Sequence, residues 1–378
     1  MKKAISNIFI LFLICNCSGN NSANKKITEI DEFKTYSIDV ESKSISISEI
    51  VESAEILRLE ETSNSLLANF YGISRLGTDF VFGAPNRGEV YVFDEFGNFK
   101  SQFSKQGSGP KEYSFMLNTW VEGDTIAIFD SGLLRIQKYD SRGNYLASNR
   151  VPQNSPEITF WKGRYYLDVS TGVQDDGKAF GVRILDKKMQ LLEDAIPLKA
   201  KKPVGVFWRS PFISYGDQLT YHDAIRDTVY VRKEGTFKPL LSIDFGEKWA
   251  WRDQSLLMDQ AKAKATLKRR GIVDRFGAIV GKEHILVQNI WAGKIQGHLV
   301  NRKTGNVQRL KIETNSKVNF SLTPFYWDGD KLLASLSSAD VAQFISSVGS
   351  ERIKFRTGTT LEEIESSENP VLVWMMFN

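Results

Sequence analysis

The stretch that looks most like a ligand-binding loop is Gln106–Tyr113, QGSGPKEY, which follows a strand-like run and contains two glycines, a proline and a lysine. A phosphate-binding P-loop needs Gly-x-x-x-x-Gly-Lys-Ser/Thr at the start of a helix, so that backbone N–H groups point at the phosphate. Here Gly107 and Gly109 are only two residues apart. Pro110 contributes no N–H, and Glu112 would repel a phosphate. The stretch is therefore expected to be a corner between two strands.

The histidines do not have the spacing of a metal site. They are His222, His284 and His298, and no two of them show the four-residue spacing of a zinc pair on a helix. The turns DEFGN and DSRGN lack the alternating oxygen ligands and the closing glutamate of a calcium loop. The serine-hydrolase motif Gly-x-Ser-x-Gly is also missing. No catalytic residue, metal or cofactor is therefore predicted.

Aromatic and cationic side chains form a second group of candidates. Trp208-Arg209 and Trp251-Arg252 place an indole beside a guanidinium, and sugar rings and anionic polymers stack on such pairs. His222 is the histidine best suited to a loop that faces a central channel. These five residues are the predicted binding candidates. The alternative is that the tryptophans wedge between structural units and that the histidine is packed or solvated.

Internal repeats indicate which elements carry these residues. The set Phe93, Asp94, Gly97 and Phe99 recurs 46 residues later as Tyr139, Asp140, Gly143 and Tyr145. Two further steps of 46 reach Met189 and Gly235 in the place of the glycine. Asp hydrogen-bonds the backbone of such a turn, and Gly supplies its positive φ. Four short alternating strands in a unit of about 40–50 residues are typical of a β-propeller blade.

A fifth repeat, VNRKTGNV, comes 24 residues later than this period requires. The helix-forming segment 249–271 accounts for the excess, with Asp253 as its N-cap and Gly271 as its end. A sixth blade is expected to combine the C-terminal strand 371–377 with strands that precede residue 61. The prediction is an all-β, six-bladed propeller of four-stranded antiparallel blades, closed by its terminal strands and carrying one helical insertion. Seven blades is the alternative.

The N-terminus has the pattern of an export signal. Two lysines precede an apolar run, Ile8–Ile14, that is shorter than the roughly 20 residues of a membrane-spanning helix. Both cysteines lie at its exit, where the sequence resembles the lipobox of bacterial lipoproteins. Cys17 fits the lipidated position better, because Cys15 would follow the bulky Ile14, although Asn16 departs from the usual small residue. Residues 1–17 are predicted to be a lipoprotein signal peptide, 18–35 a flexible tether and 36–378 the propeller.

Composition narrows the chemistry of the mature chain. No cysteine follows Cys17, which excludes disulfides and thiolate sites from the propeller. Lys and Arg number 49 and Asp and Glu 45, and two of the cations belong to the signal. A nearly neutral domain without a basic block is not expected to bind nucleic acid.

Several segments together resemble a known family. FSKQGSGPKEY, IQKYDSRGNYL, DTVYV and FKPLLSIDFG are similar to segments of six-bladed β-propeller lipoproteins of Gram-negative bacteria, which are related in form to NHL-repeat propellers. The resemblance spans about residues 41–378. It implies a lipid-anchored protein of the cell envelope, in the outer membrane and facing the periplasm or the outside. It implies no catalytic residues.

Two functions follow from these observations. The first is a non-enzymatic binding or scaffold module for a protein, peptide or glycan partner, in addition to the membrane that holds the lipid. The alternative is a propeller hydrolase or lyase with a metal in the central channel. The first is favoured because the five repeats offer no recurrent position for an inward metal ligand.

Overall fold

The computed structural model describes residues 32–67, 70–172, 177–202, 206, 208, 210–311 and 322–378. The first elements of the chain are β1 (Lys34–Ser37), β2 (Ser44–Ser46), α1 (Ile47–Ile50) and β3 (Val51–Leu57). Ser46 and Glu49 form a capping box at the start of α1, which satisfies backbone N–H groups that a helix leaves free. β1 begins at Lys34, inside the span predicted as a tether.

Blades 1 to 3 follow as four-stranded antiparallel sheets, each numbered from the innermost strand outward. Blade 1 contains β4 (Gly72–Leu76), β5 (Asp79–Ala84), β6 (Glu89–Phe93) and β7 (Phe99–Phe103). Blade 2 contains β8 (Met116–Glu122), β9 (Thr125–Asp130), β10 (Arg135–Tyr139) and β11 (Tyr145–Arg150). Blade 3 contains β12 (Ile158–Trp161), β13 (Arg164–Asp168), β14 (Ala179–Leu185) and β15 (Leu191–Leu198).

Blades 4 and 5 repeat this plan and are separated by the helical insertion. Blade 4 contains β16 (Phe212–Tyr215), β17 (Gln218–His222), β18 (Thr228–Lys233) and β19 (Thr236–Asp244). The insertion contains short 3-10 helices at Gly246–Lys248 and Gln254–Met258 and the helix α2 (Gln260–Thr266). Blade 5 contains β20 (Phe276–Val280), β21 (His284–Trp291), β22 (Lys294–Asn301) and β23 (Val307–Lys311). The predicted single helix is thus divided: Asp253 caps the 3-10 helix, and Asp259 caps α2.

Blade 6 closes the ring with strands from both ends of the chain. It begins with β24 (Thr323–Asp328) and β25 (Lys331–Leu336) and continues through α3 (Val341–Val348), β26 (Ile353–Phe355) and α4 (Leu361–Glu365) to β27 (Val371–Phe377). The strand order is β24-β25-β27-β3-β26, and Leu372 pairs with Leu57. The predicted six-bladed propeller and its closure by terminal strands are confirmed. The segment 337–370, with α3 and α4, is a second insertion that the sequence did not indicate.

Three outer strands have an additional partner. β1 pairs in parallel with β19 of blade 4, β2 with β23 of blade 5, and β26 with β3 of blade 6. Blades 4 to 6 therefore have five strands each, whereas β7, β11 and β15 are the outermost strands of blades 1 to 3. A paired edge is less available for aggregation than an open one.

Apolar side chains fill the seams between neighbouring blades. The seam of blades 4 and 5 contains Val229, Leu241, Trp251, Phe276 and Val287, all no more than 2% exposed. Strands that pack on both sides bury both of their faces, which explains apolar runs such as β5 and β27.

Candidate functional site

The antiparallel strand order gives the ring two different faces. Turns from the first to the second strand and from the third to the fourth lie on one face, which we name the turn face. Connections from the second to the third strand and from blade to blade lie on the other, the loop face. The turn face has turns of two to five residues, whereas the loop face carries the insertions 245–275 and 337–370. Functional residues concentrate on long loops held by a rigid scaffold, so we describe the loop face as the candidate site.

The turn face consists of turns that satisfy their own backbone. In blades 1 to 3 an Asp carboxylate accepts the backbone N–H groups two and four residues later, at 2.8–2.9 Å, and these residues are Asp94, Asp140 and Asp186. The third residue after each has a positive φ, and these residues are Gly97, Gly143 and Met189. The interpretation of these segments as turns is confirmed.

The stretch Gln106–Tyr113 connects β7 to β8 on the loop face, and its polar groups bind one another and the neighbouring strands. Glu112 accepts the N–H of Gly109 at 2.7 Å. Gln137 donates to the carbonyl of Glu112 at 2.7 Å, and the Tyr113 hydroxyl donates to a carbonyl of blade 1 at 2.8 Å. The glycine-rich stretch is a corner, as the sequence predicts.

A buried ion cluster joins blades 3 and 4 on the loop face. Lys202 Nζ lies 3.3 Å from Asp168 Oδ2 and 3.2 Å from Asp223 Oδ1, and these side chains are only 2–3% exposed. Arg226 Nε lies 3.1 Å from Asp223 Oδ2, and the Tyr221 hydroxyl donates to Asp168 at 3.2 Å. The cluster fixes Lys202, in the connection between the two blades, to both of them.

In this cluster, charge pairing shifts the pKa values of the ionisable groups more than burial does. Burial alone would lower the pKa of Lys202, but the carboxylates of Asp223 and Asp168 raise it above its usual range. Burial would raise the pKa of Asp223, but Lys202 and Arg226 lower it. Lys202 therefore stays protonated and cannot act as a nucleophile or a base, so the cluster is a structural device.

Glu157 is the most perturbed carboxyl group on the loop face. It directly precedes β12, and its Oε2 accepts the Asn118 side-chain amide of β8 at 2.8 Å, so it lies between the innermost strands of blades 2 and 3. The residue keeps part of its surface accessible, but protein atoms surround the carboxyl group. Burial, with a smaller contribution from Asp168, raises the pKa of Glu157 to about 8. At neutral pH this carboxyl group is therefore mainly protonated, and it can donate a hydrogen bond.

Trp208 lies across the innermost strand of blade 5. A Cβ atom on Gly277 of β20 would overlap the Trp208 indole, so the indole covers the backbone where the glycine leaves room. Trp208 is half-buried. An indole that is held against a strand and not fully buried is a suitable surface for stacking.

His222 and Trp251 are buried. His222 is 6% exposed, its ring centroid lies 4.2 Å from that of Phe276, and burial lowers its pKa to about 4. Trp251 is 0% exposed, and its Nε1 donates to the carbonyl of Asp274 at 2.6 Å. Both side chains pack inside the seam of blades 4 and 5, and neither reaches a surface.

The other candidates differ in accessibility. Arg252 is exposed at the start of the insertion. Arg209 and Cys17 lie outside the described residues. The structure therefore leaves Trp208 and Arg252 available to a partner. Sequence reasoning missed Lys202, Asp168 and Glu157; Asp168 had a signal, since Asp130 and Asp168 each end a second strand after an apolar run.

Within the described part of the chain, no group of three or more His, Cys, Asp or Glu side chains is arranged to hold a metal ion. Among the same residues, every helix is too short or too polar to span a bilayer.

Comparisons with known proteins agree with the fold. The model of a family described as a domain of unknown function (DUF4934) matches residues 35–376. A Bacteroides fragilis protein described as exported is similar in structure, with a TM-score of 0.69, 15% sequence identity and coverage of 91% of this chain and 99% of its own. A DUF4221-family protein from Bacteroides vulgatus has a TM-score of 0.50 at 10% identity and covers 87% of this chain and 97% of its own. No curated protein matches the sequence.

Proposed function

The chain belongs to the DUF4934 family, and from that premise we propose that it is a lipid-anchored propeller of the cell envelope that binds a partner through its loop face. The partner is a protein, a peptide or a glycan, and binding does not involve catalysis. The Bacteroides fragilis protein with the same fold is described as exported, which supports an envelope location.

The difference between the two faces carries this proposal. Of the large apolar side chains exposed in the described residues, five lie in loop-face connections, namely Leu66, Tyr71, Phe115, Leu133 and Met258. Of the others in the same residues, Phe96 lies in a turn of the turn face, Phe33 precedes β1, and Leu146, Leu191, Leu192 and Ile295 lie in strands. Accessible apolar and aromatic side chains are the usual anchors of an interface.

Membrane fractionation tests the anchor. Cys17→Ser is expected to release the protein from the membrane fraction, whereas Cys15→Ser leaves it bound, because one cysteine carries the lipid. Membrane-bound Cys17→Ser protein that still takes up labelled lipid would show that Cys17 is not the site.

Crosslinking in the producing cells tests the face. Phe115 on the loop face and Phe96 on the turn face are 53% and 56% exposed, so they form a matched pair. Each is replaced in turn by p-benzoylphenylalanine in the full-length protein, and adducts are identified by mass after irradiation. A discrete adduct at position 115 that is missing at 96 is expected. The same adducts at both positions, or none at either, would contradict a partner on the loop face.

A further inference from the structure

The helical insertion presents cations that have no partner. Five exposed side chains make no ion pair or hydrogen bond in the described part of the chain, namely Arg252, Lys264, Lys268, Arg269 and Arg270. The acids of the insertion are Glu247, which is exposed, Asp253 and Asp259, which accept backbone N–H groups at 2.9 Å, and Asp274, which pairs with Arg275 at 3.1 Å. Residues 245–275 contain eight Lys and Arg against four Asp and Glu, so the insertion carries a net charge of +4.

These cations project from a fixed base. Trp251, Leu257 and Ala263 of the insertion are at most 1% exposed and pack in the seam of blades 4 and 5. The segment that carries the cations is therefore anchored to the propeller by buried side chains. A rigid base reduces the conformational entropy that binding would cost.

A second group of cations adjoins the insertion. A cleft of about 360 Å³ beside blade 3 is lined by Phe180, Pro197, Leu198, Lys199 and Lys201, among other residues. Lys199 and Lys201 are exposed and have no ion partner among the described residues.

One guanidinium joins the two groups. Arg226 donates from Nη2 to the carbonyl of Ala200, between the two lysines, at 2.7 Å. It donates from Nη1 to Gln254 Oε1 of the insertion at 2.8 Å. We name the two lysines and the five insertion cations together the basic arc. Arg226 thus holds the connection that carries the two lysines against the start of the insertion, on the loop face.

We propose that the basic arc binds an acidic polysaccharide, a chain of sugars with regularly spaced carboxylates. This inference rests on the proposed function and names the class of partner. A row of separate cations fits a polymer with repeated anions better than it fits one compact anion. Trp208 supplies an accessible ring on the same face for a sugar to stack on.

Other polyanions match the molecule less well. The whole chain is nearly balanced, with 49 Lys and Arg and 45 Asp and Glu, which does not favour nucleic acid.

Binding of polygalacturonate to the full-length protein in neutral detergent tests the proposal by titration calorimetry. Binding is expected at 50 mM NaCl and is expected to weaken about tenfold or more at 300 mM, because counterions are released from the polymer. Fully methyl-esterified polygalacturonate has the same sugars without the charge and is expected not to bind. Equal binding of both polymers, or binding of neither, overturns the proposal.

Two charge-matched variants locate the site. Lys264→Gln, Lys268→Gln, Arg269→Gln and Arg270→Gln together are expected to weaken binding about tenfold or more. The control combines Arg142→Gln, Arg164→Gln, Lys187→Gln and Lys188→Gln, which are exposed on the turn face, and is expected to change affinity less than twofold. Equal losses would show that the attraction is diffuse and that the basic arc is not the site.

Two more measurements test the extent of the site and the kind of ligand. The double variant Lys199→Gln, Lys201→Gln leaves the insertion unchanged and is expected to weaken binding about threefold. An unchanged affinity would show that the cleft is not part of the basic arc. Arc-dependent binding to phosphatidylglycerol vesicles without binding to polygalacturonate would make the occupant a membrane and overturn the proposal. If polygalacturonate does not bind but a crosslinked adduct forms at position 115, the acidic polysaccharide is rejected as the partner. The proposal that a partner binds the loop face is then retained.

Discussion

The two faces of the ring are made by the same strands but are held together in different ways. On the turn face, the turns between the third and fourth strands of blades 1 and 2 are each closed by an Asp and a Gly of the same hairpin, as at Asp140 and Gly143. On the loop face the connections depend on side chains far apart in sequence, as in the pair Lys202 and Asp168. A local turn closes its own hairpin, whereas a long-range cluster fixes a connection to two different blades. The loop face can therefore vary its loops while the blades stay in place.

The largest expected effect comes from breaking the loop-face cluster. Lys202→Met leaves the carboxylates of Asp168 and Asp223 buried without their shared cation, which we expect to lower the free energy of unfolding by about 3–5 kcal/mol. Urea unfolding of the full chain measures it. The control is Lys162→Met on the turn face, whose ion pair with Asp217 is 3.6 Å long and exposed, and which should cost under about 1 kcal/mol. If the two variants lose similar free energies of unfolding, the loop face does not depend on its ion cluster more than the turn face depends on its exposed ion pair.

Two turns of the turn face also touch the preceding blade: a Cβ on Gly97 would lie 2.1 Å from the carbonyl oxygen of Arg58, and Gly143 lies against Phe103. A Cβ on Gly143, at φ +79°, would lie 2.5 Å from the Phe103 ring of blade 1, so Gly143→Ala should cost roughly 2–4 kcal/mol. Gly235 has φ +81° and no atom within 4 Å of that position, so Gly235→Ala should cost only about 1 kcal/mol. Thermal unfolding ranks the two, and equal costs would mean that the turns do not depend on their neighbours.

Acid should weaken the loop-face side of blade 4. The pKa of His222 is about 4 in the folded protein, below its ordinary value near 6.5, so the unfolded chain binds the extra proton as the pH falls. His222 is therefore expected to reduce stability by about 2 kcal/mol at pH 5 relative to pH 8. The free energy of unfolding is measured for His222→Gln and for the natural chain at pH 5 and pH 8. The difference between the two proteins should change by about 2 kcal/mol between these pH values.

The ionisation of Glu157 changes stability with pH in the opposite direction to that of His222. Its pKa is raised to about 8, so its contribution is present at low pH and is lost as the pH rises toward 8. Glu157→Gln should therefore gain stability relative to the natural chain at pH 8 and not at pH 4. A parallel response of His222→Gln and Glu157→Gln would contradict both assignments.

The smallest effect belongs to the turn face. Met189 occupies the glycine position of the third repeat with φ +63°, a conformation that costs a side chain about 1 kcal/mol. Met189→Gly should raise the unfolding free energy by about that much in urea unfolding. A loss of stability would mean that the Met189 side chain contributes packing in blade 3 that exceeds its backbone strain.

The turn face was predictable because its information is local. Asp94 and Gly97 specify a turn within five residues, and the repeat carries this pattern along the chain, so five blades could be counted. The turn at Gly235 was located by its spacing, although no Asp precedes it. The sixth blade followed from the need to close the ring.

The rest of the fold was not predictable for the same reason. β1, β2 and β26 have three or four residues, too few to show an alternating pattern, and their pairing depends on distant outer strands. Trp208 and Trp251 look alike in sequence beside their arginines. Only tertiary packing separates them, since one lies over Gly277 and the other is buried in a seam.

The order in which the chain emerges gives the pairing of Leu57 with Leu372 a kinetic meaning. The closing strand β27 follows the other strands in the chain, and it is the centre of its sheet, between β25 and β3. Blades 1 to 5 can assemble from contacts close in sequence, but β3 has no partner on its inner side until β27 arrives. Ring closure is therefore the slow, late step of folding, because it joins the most distant parts of the chain. Until then the unfinished ring exposes strand edges to proteases and to other chains, and protection comes only when β27 pairs.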